Sequence, residues 1–235
     1  MAKITVVGLG PGDFSLLTLA AWETLRGASR LILRTAVHPT VAELKRRGIT
    51  FASYDGYYER ASDFSSLYAA IVADLLAQAK AEAEAEDALV YAVPGSPLVA
   101  ERTVSLLRER ALEAGVELTI LPGMSFVEIF CARLGIDPIA GLTIIDAADI
   151  ERLPTGLFTG CIVTQVYSPA VASETKLSLM EHLPDEYEIV YAHNLGLSDE
   201  SIRRIPLYKL DRQTDVDHLT SLYLPPQTLG KGKIA

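Results

Sequence analysis

The sequence predicts a two-domain α/β protein, with a mostly parallel sheet and helices in the first domain and a mixed sheet and helices in the second. Apolar strands alternate with amphipathic helices along the first half of the chain, the pattern of a parallel sheet with right-handed crossovers. Three of these strands end in loops rich in glycine and proline. Hydrophobic residues make up 49% of the 235 residues and charged residues 22%, as expected for a folded protein with a substantial core.

The chain opens on a strand, a glycine loop and a helix. The apolar segment ITVVG at residues 4–8 predicts a buried strand, and it leads directly into LGPGD. Glycine allows a turn through positive φ and a close approach by another molecule, while proline stiffens the turn. Asp13 and Ser15 offer side-chain oxygens that can cap a helix beginning near Leu16. Such a unit is typical of the front end of a ligand-binding α/β domain.

The later elements follow from apolar runs and helical periodicity. Beyond residue 137 the apolar segments are mostly strand-like, which indicates a second domain richer in β structure. The predicted strands lie at residues 30–34, 49–53, 89–93, 117–121, 142–145, 161–166, 188–193, 203–210 and 219–224. The predicted helices lie at residues 16–27, 41–47, 64–85, 98–115, 126–134 and 169–182. We therefore predict an N-terminal α/β domain at 1–122, a C-terminal α/β domain at 123–226, and a tail or linker remnant at 227–235.

Charge and cysteine content narrow the class of protein. Lysine and arginine total 21 against 30 aspartates and glutamates, and the formal net charge is −9, which argues against nucleic-acid or membrane-surface partners. The sequence contains no run of about 18 apolar residues and no signal-peptide pattern. Cys131 and Cys161 lie in apolar segments, as expected for unpaired thiols in a reducing compartment. We expect a cytoplasmic protein.

Three glycine-proline loops are the most informative motif. The sequences GPG at 10–12, PGSP at 94–97 and PGMS at 122–125 each follow a predicted strand. In a parallel sheet, ligands bind outside the carboxyl ends of the strands, so the three loops together favour one shared ligand site. Each loop taken alone is better explained as a tight strand–helix connection.

Other kinds of site fit the sequence poorly. A dinucleotide fingerprint requires G-x-G-x-x-G and a later acidic residue, whereas this loop has proline and a displaced third glycine and the second strand ends in Arg34. The sequence has no phosphate-binding G-x-x-x-x-G-K-[ST] motif, no paired histidine spacing, no C-x-x-C and no G-x-S-x-G elbow around Ser96. The acidic residues at 82–87 indicate a solvated helix end.

The motifs resemble those of the tetrapyrrole methylase family of S-adenosylmethionine-dependent methyltransferases. The resemblance starts at VGLGPGD and LLTLAAWETLRGASRLIL and continues through YAVPGSPLVAERTVSLL, ILPGMSFVEIFCARLGIDP, GCIVTQVY and EIVYAHNLGLSDESI. VPGSPLVAE, DPIAGLTIIDAADI and YDGYYERASDF are most similar to the N-terminal half of YabN-type proteins. In those proteins the methylase-like domain is fused to a MazG nucleotide pyrophosphohydrolase.

The resemblance implies a homodimer and an S-adenosylmethionine site in a cleft between two α/β domains. Gly95 and Ser96 stand where the family has a glycine-aspartate pair, and Ser125 and Phe126 stand where threonine and serine are common. Val166 and Tyr167 match a segment that contributes a methionine elsewhere. The cofactor-binding residues that the resemblance implies are Gly10, Pro11, Val93, Gly95, Ser96, Leu98, Ser125, Phe126, Val166, Tyr167, Ala192, Asn194 and Leu195.

The side of the site that would hold the methyl acceptor is less defined. The polar, aromatic-rich loop at 54–63 is one that a core would not demand, and arginines pair well with carboxylates. The acceptor-side candidates are Arg34, Tyr54, Tyr58 and Arg102, together with Asp55, Tyr57 and Arg60. A surface loop or a dimer contact explains the same residues equally well.

Three hypotheses about function follow. The first is an S-adenosylmethionine-dependent methyltransferase acting on a small-molecule acceptor, tetrapyrrole-like or otherwise. The second is a non-catalytic domain that senses the cofactor or a ligand within a MazG fusion, because the second loop carries serine in place of aspartate. The third is a nicotinamide-dependent oxidoreductase. No catalytic acid–base group and no metal site is predicted, and the chain carries no paired E-x-x-E motif of its own for pyrophosphohydrolysis.

Overall fold

The structure, a computed structural model, describes residues 1–58, 63–81, 87–153 and 157–227. It forms two compact units, Met1–Glu128 and Ile129–Ala235. The units divide within a helix at Phe126–Leu134, six residues beyond the domain boundary that the sequence predicts. Most of the predicted tail (228–235), the end of the predicted helix 64–85 and the acidic residues at 82–86 lie outside the described residues.

The first unit contains a five-stranded sheet in which every strand pair is parallel, in the order β3-β2-β4-β1-β5. The α/β class and the parallel sheet predicted from the alternating pattern are confirmed. Its strands are β1 (Ala2–Gly8), β2 (Leu31–Leu33), β3 (Ala52–Ser53), β4 (Leu89–Val93) and β5 (Val116–Ile120). Its helices are α1 (Leu19–Gly27), α2 (Pro39–Arg46), α3 (Asp55–Tyr58), α4 (Phe64–Ala81), α5 (Arg102–Arg110) and α6 (Phe126–Leu134), which continues into the second unit.

Apolar side chains cover both faces of this sheet, which is why its strands read as continuous apolar runs. Ile4 and Val6 of β1 belong to one core with buried residues of α4 and α5. Val7 belongs to the other core with buried residues of α1 and α2. The period-2 alternation along β1 therefore supplies both cores, and helices cover both faces. With both faces covered by helices, the loops at the carboxyl ends of the strands form the remaining edge of the sheet.

Two helices begin later than the sequence predicts, because capping residues set their starts. The predicted start near Leu16 falls in a short 3-10 turn (Phe14–Leu16), and α1 begins after Thr18, whose hydroxyl accepts a hydrogen bond from the Ala21 amide. The predicted helix 98–115 is wrong at both ends. The helix in the structure, α5, begins after Glu101, whose side chain accepts a hydrogen bond from the Thr103 amide, and it ends at Arg110.

The second unit contains a mixed five-stranded sheet in the order β6-β7-β10-β8-β9. Only β6 and β7 run parallel, and the other neighbours pair antiparallel. This confirms the predicted mixed sheet. Its elements are β6 (Leu142–Asp146), β7 (Gly160–Thr164), α7 (Pro169–Met180), β8 (Glu188–His193), β9 (Ser201–Pro206) and β10 (Thr220–Leu224), with short 3-10 helices at Pro138–Ala140, Ala147–Arg152 and Leu207–Arg212.

The predicted strand 203–210 is wrong in its second half. β9 ends at Pro206, and the following residues form a 3-10 helix that buries Leu207 and Leu210 against the sheet. Proline cannot donate a ladder hydrogen bond, so it is a natural end for the strand. Across the described residues, no helix has the length and apolarity needed to span a membrane.

Candidate functional site

Two of the three glycine-proline loops are joined by backbone hydrogen bonds at the carboxyl edge of the parallel sheet. The Leu9 amide donates to the Val93 carbonyl at 2.8 Å. Beyond it, Gly10 and Gly95 form a reciprocal pair, with N···O distances of 3.2 and 2.9 Å. Past the end of the parallel β1–β4 pairing, the first loop is therefore joined to the second by an antiparallel bridge. Backbone groups of both loops are fixed at the sheet edge where ligands bind in this class of fold.

The third loop meets the other two where glycines allow a close approach. A Cβ on Gly8 would overlap the Gly95 carbonyl oxygen and would lie 2.9 Å from Pro97 Cδ. A Cβ on Gly123 would lie 3.0 Å from Pro97 Cδ and 3.6 Å from Gly8 Cα. The structure thus brings the three predicted loops together at one point. Their interpretation as a ligand site stays a prediction.

Two further glycines are required by backbone conformation. Gly10 has φ of +78° and Gly95 has φ of +65°, in the left-handed region that disfavours other L-residues. A Cβ on Gly95 would meet nothing within 4 Å, so the space above this α carbon is open. A molecule placed there would approach the backbone without a side chain in between. No metal-ligating group of three or more His, Cys, Asp or Glu residues occurs in the part of the chain that the structure describes.

The other predicted cofactor-binding residues of the first unit differ in accessibility. Val93 and Ser96 are buried, Pro11 and Phe126 are partly buried, and Leu98 is 60% exposed. The Ser96 hydroxyl lies 3.4 Å from the Leu98 amide.

Ser125 is buried and caps α6. Its amide and hydroxyl both donate to Glu128 Oε2, at 2.7 and 2.6 Å, and the hydroxyl accepts from the Val127 amide. The S-x-x-E sequence at 125–128 is the signature of a capping box, a signal that the sequence analysis missed. The capping role explains the serine without a ligand.

Two residues at the start of α2 hold the first loop, and sequence reasoning did not identify either. Thr40 is fully buried, and its hydroxyl lies 2.9 Å from the Leu9 carbonyl and 3.2 Å from the Gly12 carbonyl. His38 caps α2, since its Nδ1 accepts a hydrogen bond from the Thr40 amide. Its ring also lies within hydrogen-bonding reach of the Gly10 backbone. Burial lowers the pKa of His38 to about 4, so the ring is neutral at pH 7.

Arg34 and Tyr58, two of the acceptor-side candidates, do come together next to these loops. The Arg34 amide donates to the Ala92 carbonyl, and its Nη1 lies 3.3 Å from the Tyr58 hydroxyl. The guanidinium forms an ion pair with Glu101, with 3.2 Å between Nε and Oε2. Burial opposes the charge on Arg34 and is the largest single influence, but the Glu101 carboxylate and three nearby tyrosines, Tyr58, Tyr91 and Tyr68, together outweigh it and raise the pKa of Arg34. Burial also raises the pKa of Tyr58 to about 12.

Glu101 was not predicted, although it organises this cluster. Its side chain is 4% exposed, and its Oε1 accepts hydrogen bonds from the Thr103 amide and hydroxyl. The Thr103 hydroxyl in turn lies 2.9 Å from the hydroxyl of the buried Tyr91. The cluster therefore holds one cation and one carboxylate, and its net charge is zero.

The prediction that a core would not demand the loop at 54–63 is wrong for Tyr54. This residue is 3% exposed, packs in the core with α4, and donates its hydroxyl hydrogen to Asp74 at 2.8 Å. Tyr57 packs beside it, and Asp55 accepts hydrogen bonds from the Thr35 hydroxyl and the Ala36 amide. The structure thus gives Tyr54, Asp55 and Tyr57 a structural explanation.

The last two candidates of this group do not join the cluster around Arg34 and Glu101. Arg102 is exposed and lies 3.8 Å from Glu109. Arg60 lies outside the described residues.

The predicted residues of the second unit lie at the ends of β7 and β8. Val166 is buried and Tyr167 is half exposed, just after Gln165, which has φ of +63°. Ala192 is buried in β8 and Leu195 is buried shortly after it. Asn194 has φ of +55°, and its side-chain amide donates to Asp199 at 2.7 Å.

A cluster of charged residues beside this β8 end was not predicted. Arg203 donates to both carboxylate oxygens of Asp215, at 2.7 and 2.8 Å, and lies over the ring of Tyr191. The Tyr191 hydroxyl also donates to Asp215, and burial raises the pKa of Tyr191 to about 12. His193 Nε2 lies 3.1 Å from Asp217 Oδ1. These contacts tie β8 and β9 to the segment before β10.

Comparisons with known proteins agree with these structural features. Residues 3–211 match the model of the tetrapyrrole (corrin/porphyrin) methylases. The chain is 43% identical over 224 residues to the protein described as "Uncharacterized protein YabN" of Bacillus subtilis (strain 168). That match covers 95% of this chain but 45% of the relative's length, so the chain spans about half of this curated relative.

Solved structures share the fold. Uroporphyrin-III-C-methyltransferase from Thermus thermophilus superposes with a TM-score of 0.70 at 21% identity, covering 96% of this chain and 94% of the other. Diphthine synthase also has a TM-score of 0.70, at 17% identity and with coverage of 96% and 90%. A Uroporphyrin-III C-methyl transferase from Thermus thermophilus complexed with S-adenyl homocysteine has a TM-score of 0.67 at 17% identity, with coverage of 95% and 92%.

At these identities the solved structures show only the fold. The match to the family model over most of the chain shows the family. The relative at 43% identity supports the same grouping. The chain belongs to the tetrapyrrole (corrin/porphyrin) methylase family.

Proposed function

We propose that this chain binds S-adenosylmethionine and transfers its methyl group to a small-molecule acceptor. The observation that carries the proposal is the meeting of three glycine-proline loops at the carboxyl edge of the parallel sheet, in a chain that belongs to the tetrapyrrole methylase family. One solved neighbour of the same fold was crystallised with S-adenyl homocysteine. Family and fold support the same function.

The residues present fit such a cofactor. When bound, the cofactor supplies a methyl group on a sulfonium, which is already activated for displacement. The protein has to orient the two reactants and exclude water, and no acid–base pair is required for that. The open space above Gly95 lets a ligand approach the backbone directly, and the Gly10–Gly95 pairing keeps both loops in place. Of the other predicted residues, Ser125 has a capping role, and those of the second unit stay predictions.

The charge of the residues near the loops limits which methyl acceptors the chain would bind. In the first unit, the backbone of Arg34 is bonded to β4 at Ala92, shortly before the second loop, and Glu101 already neutralises the Arg34 guanidinium. This pairing favours an acceptor with few negative charges over one with many carboxylates. The methyl-accepting atom stays unassigned. A homodimer and a cytoplasmic location remain part of the proposal, and sedimentation of the purified chain tests the first.

A second candidate function is a ligand-sensing domain that performs no transfer. The specific observation in its favour is that the chain spans only 45% of its YabN relative, which leaves room in that relative for a further domain of the MazG type. Serine at position 96, where the resemblance implies aspartate, points the same way. This candidate predicts cofactor or ligand binding without turnover. Transfer of a labelled methyl group from S-adenosylmethionine to any acceptor in a cell extract would reject it.

A pair of matched glycine variants tests the binding site. Gly95 and Gly115 have φ of +65° and +68°, and a Cβ on either meets nothing within 4 Å. Gly115 precedes β5 and so lies at the opposite edge of the same sheet. Replacing either by alanine should cost a similar 1–2 kcal/mol of stability, about the left-handed penalty. Only Gly95→Ala should also weaken binding of S-adenosylhomocysteine.

Thermal melting and calorimetric titration measure both effects. Ligand at 100 times its dissociation constant should stabilise the wild type by roughly 2.7 kcal/mol. The absence of any shift with millimolar S-adenosylhomocysteine would reject the cofactor assignment. Equal loss of binding in both alanine variants would reject the location of the site at Gly95. A response to NAD instead would favour an oxidoreductase.

A further inference from the structure

Apart from Pro11, the first glycine loop has little conformational preference of its own. It contains glycines at positions 8, 10 and 12, and glycine is the residue that loses most backbone freedom on ordering. On one side, the pairing of Gly10 with Gly95 restrains it. This pairing does not extend to the rest of the loop, up to residue 13. The other backbone carbonyl groups of the loop therefore need another hydrogen-bond donor.

Thr40 supplies that restraint. Its side chain is 0% exposed, and its hydroxyl faces two carbonyl oxygens of the loop, those of Leu9 at 2.9 Å and Gly12 at 3.2 Å. A hydroxyl has one hydrogen to donate, so it is shared between these two acceptors or alternates between them. Both acceptors lie about 30 positions earlier in the chain, which makes this a tertiary contact rather than a local cap. The two carbonyls flank Pro11, one of the predicted cofactor residues.

His38 interacts with Gly10, which lies between Leu9 and Gly12. Its Nδ1 accepts the Thr40 amide at 3.3 Å, which fixes the ring orientation, and the ring lies within hydrogen-bonding reach of the Gly10 backbone. Burial and the nearby Arg34 keep this imidazole neutral at pH 7, so it can accept through Nδ1 and donate through Nε2 at the same time. Thr40 thus bonds the backbone of two of the four residues from Leu9 to Gly12, and His38, which holds the Thr40 amide, interacts with the backbone of a third, Gly10.

We infer that the side chains of His38 and Thr40, at the start of α2, are positioning residues that hold the first glycine loop in its ligand-binding conformation. This inference rests on the proposed function. If the loop is mobile without these contacts, only a fraction of molecules is competent to bind, and the apparent dissociation constant rises by the inverse of that fraction. The two side chains then act on ligand affinity without touching the ligand.

Four variants separate this role from simple stabilisation. Thr40→Val removes the hydroxyl at nearly constant volume, and Thr40→Ser retains it. His38→Asn keeps an acceptor for the Thr40 amide, because asparagine is a favourable helix cap, but it lacks the second ring nitrogen. Val41→Ala shortens the next buried side chain of the same helix and removes no side-chain hydrogen bond. Calorimetric titration with S-adenosylhomocysteine and thermal melting are recorded for each.

We expect the loop-contact variants to change the affinity for the ligand and the control variant to change only the stability. Thr40→Val and His38→Asn should raise the dissociation constant by roughly fivefold, the change that corresponds to one net hydrogen bond. Thr40→Ser should stay within about twofold of the wild type. Val41→Ala should lower the melting temperature and leave the dissociation constant unchanged. Hydrogen exchange of the amides of residues 9, 10, 12 and 13 should quicken in Thr40→Val and His38→Asn only.

The opposing results are equally clear. Wild-type affinity in both Thr40→Val and His38→Asn overturns the inference and leaves the proposed function intact. A rise in the dissociation constant of Val41→Ala equal to theirs also overturns it, because general destabilisation then explains the effect. No binding by the wild type overturns the proposed function and this inference with it. If Thr40→Val does not fold, His38→Asn decides alone, since its cap is retained.

Discussion

Replacing Gly8 by alanine should destabilise the first unit by about 3–5 kcal/mol. Gly8 does not have a positive φ, so its backbone conformation is open to alanine. The cost comes from space alone, because the new Cβ would overlap the Gly95 carbonyl oxygen and crowd Pro97 Cδ. The overlapping atom belongs to the backbone, so no side-chain rotation can relieve it. The two loops must therefore move apart.

The magnitude follows from what that movement breaks. The loops are joined at Gly10 and Gly95 by two hydrogen bonds of 3.2 and 2.9 Å, each worth about 1 kcal/mol net. Overpacking of a tight contact adds about 1–3 kcal/mol. The sum is a large part of the 5–15 kcal/mol that typically holds a domain folded.

Trp22 provides the assay. It is the single tryptophan of the chain, lies in α1, and packs against the core that contains Val7 and Leu9. Its fluorescence during urea unfolding therefore reports on the first unit, which matters because two units need not unfold as one. Gly27→Ala is the control, since this helix-end glycine has nothing within 4 Å of an added Cβ and no positive φ. The control should be neutral or slightly stabilising. If the free energy of unfolding of Gly8→Ala falls within 0.5 kcal/mol of the control, the close approach of the loops is refuted.

Two further predictions use the same fluorescence signal. Burial lowers the pKa of His38 from its ordinary 6.5 to about 4, so the unfolded chain takes up this proton first as the pH falls. Between pH 7 and pH 5 the wild type should therefore lose about 2 kcal/mol more stability than His38→Asn, and equal losses would contradict a neutral buried ring. Glu101→Leu leaves the Arg34 guanidinium without its counter-charge and also removes the cap of α5, so it should cost about 3–5 kcal/mol. Arg34→Met/Glu101→Leu should recover the part that comes from the unpaired charge, but not the roughly 1 kcal/mol that comes from the cap. Strictly additive effects of the two substitutions would contradict the pairing.

The parallel sheet could be predicted because its evidence is local. Each buried strand of the first unit is a short apolar run, and helices with one apolar face lie between them. The helix starts at Leu19 and Arg102 were harder to predict, since they depend on which polar side chain caps which amide. Thr18 and Glu101 are caps in the structure, whereas the sequence offers several polar residues near each start.

The burial of Tyr54 could not be predicted from its neighbours. It follows an exposed two-residue strand and precedes polar residues, so its local pattern is that of a loop. Only the packing of α4 places the Tyr54 ring in the core. Asp74 of this helix accepts a hydrogen bond from the Tyr54 hydroxyl. Thr40 and His38 were missed for the same reason, because their partners in the first loop are 28 or more positions away.

The glycines of the loops show the limit of sequence reasoning most clearly. The sequence places glycine at 8, 10, 95 and 123, but it does not distinguish why each is needed. Gly8 and Gly123 are needed for close approach between loops, while Gly10 and Gly95 are needed for positive φ. Among these four glycines, only Gly95 combines that conformation with open space around its α carbon. Close approach between loops explains a glycine without any ligand, so Gly95 is the position at which the binding hypothesis is most directly open to test.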